Sequence, residues 1–385
     1  MTQKILFLLL SVTFMLSCSN KQQTGSDIIH VNDAKEMIFN LSDYVVSLEY
    51  VPLETKQECL IDRSPSFYVC DEYIVATTSR QCFLFDRSGK FIREIGRAGR
   101  GPDEYNYTMG TINETNQTVL MRGWDKYMEF SFNGKVTKYF PFVSSTSPRA
   151  YVNDDLLVCG VSNTRGDAIN QLIFINQETI VDSIPNYQFF KLQNPNVFGR
   201  LSGYEFNFYQ YHDGLYYKNM FNDTIFRIED RKIYPAWIFD MEQYRLSHTI
   251  MADMNTANQE RHKYNWVQTI LEADPFLLFS IVSERGDSAF VFDKHKSQVF
   301  IMKKEQQLKG FYNDIDGGMP FWPTHINRKQ ELVMFLYPYQ MIEILTNEYI
   351  ARKNIRDEAA SLRLRELVRR LEEEDNPVVV IARLK

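Results

Sequence analysis

Two short stretches of the chain concentrate side chains that could bind a ligand. One is a glycine-rich run at residues 96–105 and the other spans residues 313–323. Arginine can form bidentate hydrogen bonds with an anionic group, and tryptophan and arginine can stack on a planar group. These residue types therefore suit a planar or anionic ligand. We predict as ligand-binding residues Arg97, Arg100, Glu104, Asp314, Asp316 and Trp322.

The chain carries no recognisable metal or catalytic motif. Asp314 and Asp316 lack the D-x-[DN]-x-[DN]-G spacing of a calcium loop, although two carboxylates could still hold calcium. The six histidines form no H-E-x-x-H or similar local arrangement. Neither a G-x-S-x-G nucleophile turn nor a phosphate-binding P-loop is present. We therefore predict no catalytic residue, no metal and no cofactor.

The glycine-rich run is predicted to be a connection rather than a phosphate cradle. Such a cradle leads from a strand directly into a helix N-terminus. Here Pro102 and the polar "DEYNYTMG" follow instead. We expect a crossover between two repeats, in which Arg97 and Arg100 are solvated or paired with Glu104.

Short apolar strands separated by polar turns fill most of the chain. They fall into sets that begin at residues 73, 117, 155, 214, 276 and 331. The first two steps are close to the roughly 40–45 residues of a four-stranded propeller blade. Blades must stack around an axis because a hairpin cannot bury its apolar face alone. We predict an all-β, six-bladed β-propeller.

Two helices interrupt this pattern. A helical insertion is predicted at about 241–274, with its helix over 255–273, and a C-terminal helix over 357–374. The second has apolar residues at helical spacing, and Asn376-Pro377 ends it. Residues 340–345 are predicted to be a strand of the sixth set. A closed ring needs its ends joined, so we expect an N-terminal strand to share a sheet with strands of the C-terminal third.

The N-terminus resembles a bacterial lipoprotein signal. Lys4 is followed by an apolar run and then by "MLSC", in which Met15 replaces the more usual Leu. We predict a signal peptide at 1–17, lipidation of Cys18, a polar tether at 18–27 and the propeller domain at 28–385. The alternative is an ordinary signal peptide. Because "CSNKQQTGS" contains no acid, we predict an outer-membrane lipoprotein that faces the periplasm.

Charge and cysteine content restrict the partners further. The net charge is −6, which gives no basic surface for nucleic acid. Cys59, Cys70, Cys82 and Cys159 include no C-x-x-C pair. The last three lie in apolar strand-like runs and are expected to be buried free thiols, with a disulfide as the alternative.

Several fragments resemble a known family. The run "GKFIREIGRAGRGPDEY" is typical of NHL-like propeller repeats, with Asp103 where Gly is usual. Together with the lipoprotein start, "NDIDGG" at 313–318 and "DNPVVVIARLK" at 375–385, it resembles the six-bladed β-propeller lipoproteins of Gram-negative gut bacteria. The resemblance covers nearly the whole mature chain. It implies an architecture but no activity.

The predicted function is ligand or protein binding at one axial mouth of a membrane-tethered propeller. The partner would be an envelope protein, a peptide or a glycan. One alternative is a metal-dependent hydrolase or lyase of the propeller-lactonase kind, whose ligands would gather from several blades. Another is a structural accessory subunit of an outer-membrane uptake complex, which would expose a large apolar patch.

Overall fold

The structure is a ring of six β-sheets, which confirms the predicted propeller. The computed structural model describes residues 27–143, 148–177, 179–196, 205–284 and 286–385. The predicted lipidation site, Cys18, lies outside these residues. The chain begins with three strands that join blades formed later: β1 (Asp27–His30), β2 (Lys35–Met37) and β3 (Val45–Pro52).

The first three blades each have four antiparallel strands in chain order. Blade 1 contains β4 (Ser66–Val69), β5 (Tyr73–Thr77), β6 (Cys82–Asp86) and β7 (Phe91–Glu94). Blade 2 contains β8 (Tyr107–Asn113), β9 (Thr118–Arg122), β10 (Lys126–Ser131) and β11 (Val136–Pro141). Blade 3 contains β12 (Arg149–Tyr151), β13 (Leu157–Gly160), β14 (Asn170–Ile175) and β15 (Ile180–Pro185).

The last three blades each include an N-terminal strand. Blade 4 contains β16 (Phe206–Tyr211), β17 (Gly214–Asn219), β18 (Thr224–Glu229) and β19 (Lys232–Asp240), with β1 outside. Blade 5 contains β20 (Trp266–Glu272), β21 (Phe276–Ser283), β22 (Gly286–Asp293) and β23 (Gln298–Met302), with β2 outside. Blade 6 contains β24 (His325–Ile326), β25 (Glu331–Leu336), β26 (Val378–Leu384) and β3.

Blade 6 closes the ring. Strand β26 lies between β25 and β3, and Ile381 pairs with Val333 on one side and Glu49 on the other. This confirms that an N-terminal strand shares a sheet with the C-terminal third. Closure leaves the central strand of this blade without a free edge. The N-terminal segment also runs parallel to the outer strands of blades 4 and 5.

The helices differ from the sequence prediction in two places. Helix α1 (Met254–Glu260) is short, and residues 266–272 form β20, so the prediction of a helix over 255–273 is wrong in its second half. Strand β20 pairs antiparallel with β21, and this tertiary pairing overrides the local helical spacing. Residues 340–345 were predicted to be a strand but lie in α2 (Pro338–Ile344) and its C-cap. Proline in its first turn favours the helix, and β26 takes the third position of the sheet.

Two further helices precede β26. They are α3 (Asn347–Ala351) and α4 (Glu358–Val368). The carboxylate of Asp357 caps α4 by accepting from the backbone N–H of Ala360, which confirms the predicted start. This helix ends earlier than the predicted 374. Its buried Leu364 packs against blade 6.

Apolar layers between adjacent blades form the core. Strands two and three of most blades are almost continuously buried because neighbouring sheets cover both faces, whereas β18 of blade 4 is only partly buried. The four described cysteines are free and buried, which confirms the interpretation of Cys70, Cys82 and Cys159 as buried thiols. Burial raises the pKa of Cys70 to about 12, so this thiol stays protonated and unreactive.

Candidate functional site

A channel runs along the propeller axis, lined by the first strand of each blade. These inner strands are β4, β8, β12, β16, β20 and β24. They enclose a cavity of about 410 Å³, within the usual size range of small-molecule sites. We name its ends by the chain segments there. At the crossover mouth the segments between blades enter the inner strands, and at the turn mouth the inner strands turn into the second strands.

Three buried polar atoms on the channel wall lack a hydrogen-bond partner within the described part of the protein. They are Nδ2 of Asn207, Nε2 of His325 and Oε1 of Gln330. Asn207 belongs to blade 4 and the other two to blade 6. A buried polar group without a partner costs about 1–3 kcal/mol. Such groups converging on one cavity indicate a site for a ligand that supplies donors and acceptors.

Other polar groups around the channel are held firmly by protein partners. The carboxylate of Glu272 accepts a hydrogen bond from the Tyr209 hydroxyl at 2.7 Å and pairs with Nζ of Lys294 at 2.7 Å. Burial, together with the neighbouring Glu272, raises the pKa of Tyr209 well above its usual value. Arg149 lies over the ring of Tyr127 at 4.2 Å. These contacts fix the wall, so the channel is preorganised.

The turn mouth is crossed by one arginine. Arg328 follows β24 of blade 6 and donates to Oγ1 of Thr115 in blade 2 and to Oδ1 of Asp213 in blade 4, the latter at 3.3 Å. Its backbone N–H donates to Oε2 of Glu114 at 3.3 Å. Blades 2, 4 and 6 alternate around the ring. Contacts among them therefore cross the axis.

The histidine beside this arginine faces the channel. Nε2 of His325 lies 3.6 Å from Oε1 of Glu114, and its ring meets that of Tyr68 edge-on at 5.1 Å. Three blades thus contribute to one polar cluster, since Tyr68 lies in β4, Glu114 follows β8 and His325 lies in β24. The cluster can offer both hydrogen-bond donors and acceptors.

The glycine-rich loop folds around its own glutamate. Oε2 of Glu104 accepts from the backbone N–H of Gly101 at 2.8 Å, and Oε1 lies 3.7 Å from Nε of Arg97. A Cβ at Gly99 would lie 1.9 Å from the Glu104 carboxylate, so a larger residue there would displace the Glu104 side chain. The Arg97 side chain is 82% exposed. The predicted crossover with an Arg–Glu pair is confirmed.

The predicted aspartates lie in a sealed polar junction. Asp314 is buried and accepts from the backbone N–H of Ser42 at 2.9 Å and from Nε of Arg356 at 2.9 Å. Asp316 is buried beside it and accepts from Nδ2 of Asn313 at 2.8 Å and from the Tyr50 hydroxyl at 3.3 Å. We call this set the aspartate junction: Ser42, Tyr50, Asn313, Asp314, Asp316 and Arg356. It ties the N-terminal segment to blade 6.

Among the six predicted ligand-binding residues, Trp322 lines the channel. It lies before β24, near the crossover mouth, and Nζ of Lys309 approaches its ring at 5.2 Å. Arg97, Arg100 and Glu104 lie together in the glycine-rich loop, and Arg100 stands 5.9 Å from the ring of Trp124. The structure therefore separates the six into a loop, a junction and a channel wall. Ligand binding by them stays a prediction.

Sequence reasoning did not identify the polar residues of the channel, such as Asn207, Glu114, His325 and Arg328. They lie on inner strands and their turns, which are mixed in polarity. In "FNFYQY" at 206–211, for example, one strand face would carry Phe206, Phe208 and Gln210 and the other Asn207, Tyr209 and Tyr211, so the sequence shows no polar face.

Metal-ligand groups and membrane-spanning helices are both absent from the described residues. Within those ranges, no three His, Cys, Asp or Glu side chains are grouped so that they could hold a metal ion. Of the helices described, none is long and apolar enough to cross a membrane.

Comparisons with known proteins agree on the architecture. A family model described as a domain of unknown function, DUF4934, matches residues 26–383. A Bacteroides fragilis protein assigned as exported has a similar structure, with a TM-score of 0.68, 17% identity, and coverage of 94% of this chain and 99% of that one. This likeness shows the fold alone. No curated protein matches the chain.

Two further structures match more weakly. The extracellular domain assigned to a hybrid two-component system of B. thetaiotaomicron gives a TM-score of 0.38 at 11% identity, over 66% of this chain and 29% of that one. The WD40 domain of Neurospora crassa Pan2 gives 0.36 at 13% identity, over 64% of this chain and 65% of that one. Scores this low carry no information about the function of the present chain.

Proposed function

We propose a function for this chain on the premise that it belongs to the DUF4934 family, which is described as a domain of unknown function. The chain is a binding module whose axial channel holds a small polar ligand. The observation that carries this proposal is the convergence of Asn207, His325 and Gln330 on one cavity, each with a buried polar atom that lacks a hydrogen-bond partner among the described residues. A ligand that bonds these atoms offsets their desolvation.

The channel wall indicates the chemistry of this ligand. Glu272 is neutralised by Lys294, and Glu114 faces His325 and the backbone of Arg328. No single charge sign dominates, so a ligand with several hydroxyl or amide groups fits better than a strongly charged one. Trp322 adds an aromatic surface against which a sugar ring or peptide group can stack.

Tryptophan fluorescence tests the proposal. The purified protein is titrated with neutral disaccharides and with dipeptides capped at both ends, and emission and melting temperature are recorded. We expect one class to change the emission of the wild type. Trp322→Phe should remove most of that change, whereas Trp124→Phe, an exposed tryptophan outside the channel, should keep it. An unchanged response in Trp322→Phe, or no response to any compound, would contradict the proposal.

We place this module in the cell envelope, attached by a lipid on Cys18. Support comes from the lipoprotein-like signal and from the structural likeness to a protein assigned as exported. Cys18→Ala should move the protein from the membrane fraction to the soluble fraction. Continued membrane association of this variant would refute lipid anchoring. Protease digestion of intact cells tests the orientation, since a periplasm-facing protein should survive it.

A second candidate, binding to an envelope protein, is favoured by an exposed aromatic patch on blade 2. We call it the blade 2 patch: Tyr107, Trp124, Tyr139 and Phe142, which are 37–55% exposed. Arg100, Arg122 and Lys126 lie beside three of these rings. Exposed Trp, Tyr and Arg side chains dominate the energetics of protein interfaces. A photo-crosslinker at Trp124 should trap a partner in cells that the same group at Leu362 on α4 does not, and equal crosslinking from both positions would reject this candidate.

A further inference from the structure

Two cavities share the axis at the turn mouth. The second cavity, of about 340 Å³, is lined by the turns that follow β8, β12, β16 and β24. We call it the vestibule. It shares with the channel the residues Ile112, Glu114, Tyr151, Gln210, His212 and Arg328. These shared residues stand between the channel and the surface at this end.

Arg328 is the shared residue that spans this opening. Its guanidinium joins Thr115 of blade 2 to Asp213 of blade 4, and its backbone is held by Glu114. A side chain anchored to the rim at two alternate blades must lie over the axis. Its own blade supplies the third point of attachment.

We propose that Arg328 closes the turn mouth and thereby determines which ligands the channel accepts. The channel is then closed at this end, and its depth limits the length of the ligand. This inference rests on the proposed function in that a ligand occupies the channel, but the closure itself requires no ligand. Arg328 is a specificity-determining residue through its position rather than through its charge.

The anchors of Arg328 are suited to reversible closure. The Asp213 side chain is 97% exposed and that of Arg328 is 51% exposed, so water competes for this ion pair. Exposed pairs contribute little to stability. Loss of one anchor should therefore loosen the closure without unfolding the blades.

Thiol labelling measures the closure directly. The four described cysteines are buried, and a parent protein without an added cysteine gives the background rate. Thr111→Cys places a thiol on the channel wall two residues before β8 ends at the turn mouth, and Asn153→Cys places one in the vestibule as the matched control. Both are labelled with N-ethylmaleimide and with the bulkier fluorescein maleimide. No ligand is added.

We expect Arg328→Ala to raise the labelling rate at Thr111→Cys by about tenfold, more for the bulky reagent, because both exposed anchors are lost. The rate at Asn153→Cys should not change. Asp213→Asn, which removes one anchor, should give a smaller rise. If the melting curve shows that Arg328→Ala does not fold, Asp213→Asn becomes the test variant.

Equal labelling of Thr111→Cys with and without Arg328 would overturn the inference, because the arginine would then be no barrier. A rise at both cysteines would also overturn it, since general loosening would be the cause. Neither result bears on the Trp322 titration. Failure of closure and failure of ligand binding are therefore distinguishable.

Discussion

The aspartate junction and the axial channel both gather buried polar side chains, but they use them differently. In the junction, Asp314 binds the N-terminal segment and Arg356, so that segments distant in sequence are joined. In the channel, Asn207, His325 and Gln330 present to a cavity atoms that lack a hydrogen-bond partner among the described residues, and Nε2 of His325 lies 3.6 Å from Oε1 of Glu114. Most polar atoms of the junction are satisfied by the protein itself, with Oδ2 of Asp316 as an exception within the described ranges, whereas the unsatisfied atoms of the channel line a cavity and are therefore suited to binding.

The largest expected effect is the loss of blade 6, the sheet that the aspartate junction ties to the N-terminal segment. Deletion of residues 377–385 removes β26, in which Val378, Val379, Val380 and Ile381 are at most 1% exposed. Burial of such side chains contributes about 1.5–3 kcal/mol each, which together approaches the 5–15 kcal/mol that stabilises a whole protein. We expect no cooperative thermal transition by calorimetry. Deletion of Lys385 alone is the control, and a normal melt of the longer deletion would show that β26 is dispensable.

The next effect concerns the junction itself. Asp314→Ala leaves the Ser42 N–H and the Arg356 guanidinium without their acceptor. We expect a loss of roughly 2 kcal/mol in the free energy of unfolding in urea, because the Ser42 donors lose their buried acceptor, whereas the Arg356 side chain is 58% exposed and can be solvated. Asp43→Ala, at a neighbouring exposed acid, should change stability little. Equal losses in the two variants would remove the distinction between a sealed junction and an ordinary surface.

A pH series gives a smaller effect. Burial raises the pKa of Asp316 above its usual range in the folded protein. The protonated form is therefore favoured in the fold, so its contribution to stability is fully present below pH about 3.9 and is lost as pH rises through the folded pKa. Asp316→Asn should flatten that part of the stability profile in urea melts between pH 3.5 and 7. An unaltered pH dependence of stability in this variant would contradict a raised pKa of Asp316 in the folded protein.

The smallest stability effect is expected in the channel. Asn207→Ala and Gln330→Ala each remove a polar atom that has no protein partner, so the free energy of unfolding should change by less than about 1 kcal/mol. The same variants should weaken whichever ligand class quenches Trp322. A large loss of stability with unchanged binding would reverse the comparison, since the channel would then be structural.

The sequence by itself determined the class of fold. Strands two and three of most blades, such as "QCFLFD" and "QTVLMRG", are apolar runs bounded by turns, because neighbouring blades cover both of their faces. The start of α4 was also readable, since Asp357 and the apolar spacing are local signals. The glycine-rich loop was readable for the same reason, as its Glu104 partners lie within a few residues.

Only the tertiary structure decided where the site lies. The inner strands are mixed in polarity, and β20 even carries helical spacing, so local sequence did not reveal them. Their side chains meet residues from blades distant in the chain, as Arg328 meets Thr115 and Asp213. The aspartates were misleading for the same reason, because their partners, Ser42 and Tyr50, are more than 260 positions away. Whether a polar residue is satisfied or left facing a cavity depends on such distant contacts, which ring closure alone brings together.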